Sequence, residues 1–225
     1  HESGTLVSGI IGGLYSSTAT ISVLARKSRK ASEQEATDYV AAMLLAISMM
    51  FLRFMILILI FSREIFLSIY PYLLTMAVVA AIVAWFIHSR QKRSNDQPVE
   101  EEEDDSSNPL EFKVALIFAV LFVIFTFLTH YTLVYAGTGG LNLLSFVSGF
   151  SDITPFILNL LQNTGSVAAL IITACSMQAI ISNIMVNMFY ALFFAGKGSK
   201  LRPWILGGFG VVIACNLVLL LFFYI

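Results

Sequence analysis

Apolar residues run in stretches long enough to cross a bilayer at about 6–24, 39–61, 65–87, 114–135, 141–161, 167–194 and 203–225. A crossing of roughly 30 Å of hydrocarbon takes about 20 residues. The pattern predicts seven membrane helices, because open sheet edges in lipid would carry unpaired backbone groups. The first stretch is the least apolar, with Gly12, Gly13, Ser16, Ser17, Thr18 and Thr20 crowding its centre. The sixth is longer than a crossing needs, which predicts tilt or projection beyond the membrane.

Two of these stretches carry a related polar patch: Gly12-Gly13-Leu14-Tyr15-Ser16-Ser17-Thr18-Ala19-Thr20-Ile21 and Ser148-Gly149-Phe150-Ser151-Asp152-Ile153-Thr154-Pro155-Phe156-Ile157. Polar groups in hydrocarbon are costly unless something local satisfies them. Paired, Gly- or Pro-interrupted apolar segments in corresponding places point to a midplane binding or permeation site. Gly13 aligns with Gly149 and Thr18 with Thr154 at an offset of 136, and Ala46–Arg53 aligns with Ile180–Asn187 at 134. Nearly equal offsets over two helices argue for duplication. With seven full crossings, four spans separate equivalent points, so the expected repeat is parallel. Span four has no counterpart before span one, which leads to the expectation of a helix upstream of His1.

Charge sharpens this layout. Of 225 residues 58% are hydrophobic and 12% charged, against roughly 25% charged in soluble domains. The expected class is therefore an all-α, polytopic integral membrane protein, with the lipid bilayer as its surroundings. A net charge of −1 gives no electrostatic case for nucleic acid. Seven crossings place the clusters at 26–30 and 90–93 and Lys113 on one side, eight cations, against Arg63, Lys197, Lys200 and Arg202 on the other. The larger group marks the cytoplasmic side of the inner (plasma) membrane, with the C-terminus also inside. Residues 96–108, including Glu100–Asp105, read as an acidic, disordered cytoplasmic linker between a first half (1–95, spans one to three) and a second (109–225, spans four to seven).

Two ionisable side chains lie deep in apolar segments, Arg53 and Asp152. Each costs on the order of 2.5–3.5 kcal/mol at a helix centre on insertion scales. At about 1.5 Å per residue, Arg53 lies roughly 12 Å and Asp152 roughly 16 Å from the outer ends of their spans. They are expected to pair or to face one polar cavity, as a binding site or as an ion pair that fixes register. Ser16, Ser17, Thr18 and Thr20 sit at similar depth in span one, with Ser151 and Thr154 in span five. Such hydroxyls bind a dehydrated cation, donate to an anion, or bond their own helix carbonyls. Gly149 and Pro155 flank Asp152 and predict a break there. Asn183 and Asn187, one turn apart on span six, are site candidates or interhelical links. Cys175 and Cys215 fall inside apolar segments and read as buried residues. No metalloenzyme spacing, phosphate loop or nucleophile–base pair appears, so neither enzymatic activity nor a cofactor is expected.

The stretches Gly12–Thr20, Leu24-Ala25-Arg26, Ala46–Arg53, Asn108-Pro109-Leu110-Glu111 and Ser148–Asp152, with Asn183, resemble a bacterial and archaeal membrane family of unknown function. Its domain commonly follows an MgtC/SapB-type domain. The resemblance covers nearly the whole chain; Asn187 departs from it, standing where the family pattern has a basic residue. It implies an integral membrane domain related to transport, with an MgtC/SapB-like domain in the same or a partner chain, and supplies no substrate. The function expected is a transporter or channel-like protein for an ion or small polar solute. The alternative is a non-transporting scaffold or sensor subunit. A homodimer through small-residue faces of spans three and seven (Gly207-Gly208-x-Gly210) is a further expectation.

Overall fold

A computed structural model describes residues 2–29, 33–90, 109–163, 167–196 and 201–224. The described elements are α1 (Glu2–Lys27), α2 (Glu33–Phe61), α3 (Arg63–Ser89), α4 (Pro109–Ser148), α5 (Ile153–Gln162), α6 (Ala169–Ala195) and α7 (Arg202–Tyr224). Among the described residues there is no strand. Six helices among the described residues are long and apolar enough to cross a membrane, α5 being too short. The chain is an all-α, multi-pass membrane protein. The expected linker at 96–108 lies outside the described residues.

The chain forms two compact units, His1–Asp96 with Ile184–Ile225, and Gln97–Asn183. In the first, α2 is the central element. Ala41–Leu44, Ala46, Ile47, Met50, Phe51 and Phe54 are all buried, as expected of a helix apolar on every side. Ser48 Oγ donates to the Ala77 carbonyl at 2.8 Å, and Phe51 meets Tyr72 edge-on with centroids 6.3 Å apart. Tyr72 donates to Asn216 Oδ1, tying α3 to α7 with a buried polar pair. In the second unit Asn159 Nδ2 donates to Thr126 Oγ1 at 2.8 Å, and Phe125 packs on Phe156 at 5.6 Å.

Three places depart from straight helix. Ser16 inside α1 has φ −156 and ψ 106. Gly137 inside α4 has φ 58 and ψ −148. Residues 149–152 separate α4 from α5. All three are reversals of direction. A Cβ on Gly12 would stand 2.5 Å from Thr20 Oγ1, although eight residues of straight helix span about 12 Å. A Cβ on Gly140 would likewise stand 2.7 Å from Thr132 Cγ2.

The neighbours of α1 give the same answer. Gly9 packs on Ala42 and Gly13 on Ala46, so residues 2–15 run parallel to α2. Were α1 straight, its end would lie about 21 Å beyond Gly13 and the start of α2 about 20 Å behind Ala46. The six steps from Lys27 to Glu33 reach at most about 21 Å, half the gap. The chain must fold back at Ser16, making α1 a helical hairpin with arms 2–15 and 17–27.

The second unit repeats this construction. Cys175 Sγ lies 3.4 Å from Asn142 Oδ1, Ser145 Oγ donates to Gln178 Oε1 at 2.8 Å, and Gly149 packs on Ser182. Residues 138–148 therefore run parallel to α6. Seven steps from Gln162 to Ala169 reach about 25 Å, too short unless 153–162 turns back. The expected span five (141–161) is thus a second hairpin, with arms 138–148 and 153–162.

The packing also corrects the register of the repeat. Gly9·Ala42 and Gly13·Ala46 correspond to Ser145·Gln178 and Gly149·Ser182 at a single offset of 136. The offset of 134 expected for the following helix matched Ser48 to Ser182 by residue identity. The packing instead equates Ala46 with Ser182, because a small residue is needed where the helix meets a glycine.

The backbone at Gly137 belongs to a region that essentially only glycine enters. Gly137→Ala is expected to destabilise by about 1–3 kcal/mol. The loss should show as a lower melting point in detergent, whereas Gly139→Ala, which meets nothing within 4 Å and has no positive φ, serves as the control.

Candidate functional site

Each hairpin ends in a polar tip, built from the same parts at an offset of 136. At the first tip Ser16 takes an extended backbone and its Oγ accepts from the Ala19 amide at 3.3 Å. At the second, Asp152 has φ −71 and ψ 116, and its Oδ1 accepts from the Thr154 amide at 2.9 Å. Both residues cap the N-terminus of a returning arm, where amides lack helical partners. Pro155 fits in the first turn of α5, since the amide it lacks has no partner there anyway.

Breaking a helix also frees carbonyls, and each tip has a donor from the next helix to receive them. Arg53 Nη1 donates to the Tyr15 carbonyl at 2.8 Å. Asn183 Nδ2 donates to the Gly149 and Ser151 carbonyls at 3.1 and 3.3 Å. Tyr15 and Ser151 are themselves 136 apart, so the same carbonyl is held twice by different chemistry. Asn183 stands level with its target. Arg53 lies further along α2 and needs its long side chain to reach back, in the direction helical side chains point.

Of the expected site residues, the first unit brings together Ser16, Arg53 and the buried Ser17 around the first tip. Thr18 offers its carbonyl to Ser22 Oγ at 2.8 Å, and Thr20 stands against Gly12 across the fold-back. The second unit brings together Ser151, Asp152, Thr154 and Asn183. Ser151 Oγ donates to the Ser148 carbonyl at 3.1 Å, the bland use of a helical hydroxyl. Asn187 is fully buried and belongs to the first unit. The expected Arg53–Asp152 pair joins residues of different units, and within its own unit each is engaged as described. His130 is exposed. Cys175 and Cys215 are free thiols; Cys175 is buried as expected, whereas Cys215 is only partly so.

The sequence does not announce the Tyr15, Gly149 and Ser151 carbonyls, nor Asn142 and Ser145 on the rising arm of the second hairpin. A backbone carbonyl has no sequence signal. Ser145 had one, because its counterpart at 136 is Gly9, a small residue at the same crossing. The first repeat thus closes on its neighbouring helix with glycine and alanine, and the second with Ser145, Gln178, Asn142 and Cys175. Among the described residues, no cluster of His, Cys, Asp and Glu is suited to a metal ion.

A chain from Aquifex aeolicus (strain VF5), "Uncharacterized protein", is 25% identical over 217 residues, covering 96% of this chain and 93% of that one. No solved structure matches. Residues 1–195 match a family model described as a domain of unknown function, DUF4010. The match takes in both hairpins and all of α6, so this membrane chain belongs to that family.

Proposed function

We propose that this chain moves an ion or small polar solute across the membrane it occupies. The observation that carries the reading is the pair of interrupted helices, each turning at a capped polar tip inside an otherwise apolar chain. Non-helical backbone at membrane depth is tolerated where protein buries it or where it lines a water-filled path. Interrupted helices in both halves of a duplicated chain are the arrangement secondary transporters use to bind charged cargo. Asp152 supports the reading further: it is exposed, and a carboxylate left against lipid would be costly. Arg53 and Asn183 then serve as supports that hold the tips in shape, and Asp152, Ser151 and Thr154 are the groups offered to the cargo.

The test is uptake into proteoliposomes containing the purified chain, with radiolabelled sodium, rubidium, chloride and phosphate as probes and Asp152→Ala as the comparison. Uptake of at least one probe above empty vesicles, lost in Asp152→Ala, is the expected result. Uptake that Asp152→Ala leaves unchanged would take the second tip out of the pathway.

A further inference from the structure

The fold-backs change the number of times the chain crosses the membrane. A hairpin that returns to its starting side adds no crossing, so α1 and the pair 138–148 and 153–162 add none. Among the described residues the full crossings are then α2, α3, residues 109–136 of α4, α6 and α7, which makes five.

Contacts inside the first unit bear this out independently. Arg29 Nη2 donates to the Phe193 carbonyl at 3.2 Å and Arg29 Nε to the Phe194 carbonyl. The Arg26 guanidinium lies 4.3 Å from the Phe194 ring centre. The C-terminal end of α1, with Arg26 and Arg29, thus sits beside the C-terminal end of α6. Seven crossings would put those two places on opposite faces, roughly 30 Å apart. A Cβ on Gly208 would stand 2.8 Å from Leu44 and 3.0 Å from Ile87, so α7 starts on the side where α2 starts and α3 ends.

Charge supplies a third line. With five crossings, the connections at 26–30, 90–93 and 196–202, together with Lys113, all face one side. That side holds eleven of the 13 Lys and Arg residues. The other side holds Arg63 alone, and Arg53 lies within the membrane. Eleven against one is a far stronger orientation signal than eight against four.

We propose that the chain is an inverted duplication, with its first hairpin entering the membrane from the cytoplasmic face and its second from the outer face. Equivalent helices then cross in opposite directions: α2 and α3 leave and regain the cytoplasmic face, whereas α6 and α7 leave and regain the outer face. The inverted repeat takes the place of the parallel one that seven crossings imply, and the C-terminus comes to the outer face. The functional consequence is a device with one re-entrant element open to each side, the symmetry on which alternating access rests. The inference goes beyond transport and stands without it, because it concerns sidedness alone.

The experiment is labelling with a membrane-impermeant maleimide in intact cells and in inside-out vesicles. The background has Cys175 and Cys215 replaced by alanine, and the reporters are single variants Lys27→Cys, Thr138→Cys, Asn163→Cys and Lys197→Cys. A small epitope tag on the C-terminus of the otherwise unaltered chain needs no substitution and reports even if a cysteine variant fails to fold. Lys27→Cys and Lys197→Cys are expected to label from the cytoplasmic side only. Thr138→Cys, Asn163→Cys and the tag are expected to be reached from outside. Lys197→Cys labelled from outside, or Asn163→Cys or the tag reached only from the cytoplasm, would overturn the proposal.

Discussion

Replacing Gly149 with leucine is expected to lower the accumulation and the melting temperature of the folded protein sharply. A Cβ at this position already stands 2.7 Å from the Asn183 amide nitrogen and closer still to Ser182. Backbone of α6 is in the way, so no rotamer change relieves the clash. Overpacking ordinarily costs about 1–3 kcal/mol; a rigid obstacle puts Gly149→Leu at the top of that range or above it. Total stabilities are only about 5–15 kcal/mol. Gly13→Leu, whose Cβ would stand 2.5 Å from Ala46 Cα, should fail in the same way, because it occupies the same place in the first hairpin. Gly207→Leu is the control, since nothing lies within 4 Å of a Cβ there. Yield and melting temperature in detergent, followed by size-exclusion chromatography after heating, read the result. Gly149→Leu behaving like Gly207→Leu would mean that the hairpin does not pack on α6 as described.

The second large effect separates the two jobs of Asp152. Its carboxylate caps α5, and in the transport reading its charge also faces the cargo. Asp152→Ser keeps a cap oxygen and removes the charge; Asp152→Ala removes both. Loss of a good N-cap costs about 1 kcal/mol, so Asp152→Ala should melt lower than the native chain and Asp152→Ser close to it. Hydrogen bonds to charged groups are worth about 1.5–3 kcal/mol. At about 1.4 kcal/mol per tenfold, either variant should cut uptake roughly ten- to a hundredfold. Uptake retained by Asp152→Ser but lost in Asp152→Ala would make Asp152 a structural cap and no more.

Both predictions depend on features the sequence announced with unequal clarity. The break at Asp152 was legible, because Gly149 and Pro155 bracket it and a carboxylate within an apolar run requires local satisfaction. The break at Ser16 was not, since Ser-Ser-Thr in a helix ordinarily bonds to its own carbonyls. Asn183 was legible as a polar link but not its target, two backbone carbonyls that exist only once the helix is broken. The register of the repeat failed in the second helix for a similar reason. Identity favoured pairing Ser48 with Ser182, whereas geometry favoured pairing the two small residues that face a glycine.

Composition and hydropathy by themselves determined that this is an all-helical membrane chain with two polar interruptions inside apolar stretches. Those conclusions rest on transfer free energy, which depends on what each residue is and not on where the chain goes next. Direction was decided only by the tertiary structure. An apolar stretch of about 20 residues has the same hydropathy whether it crosses the bilayer or turns back within it. Only the parallel packing of Gly9 and Gly13 on Ala42 and Ala46, with connections too short for any other path, distinguishes a hairpin from a crossing.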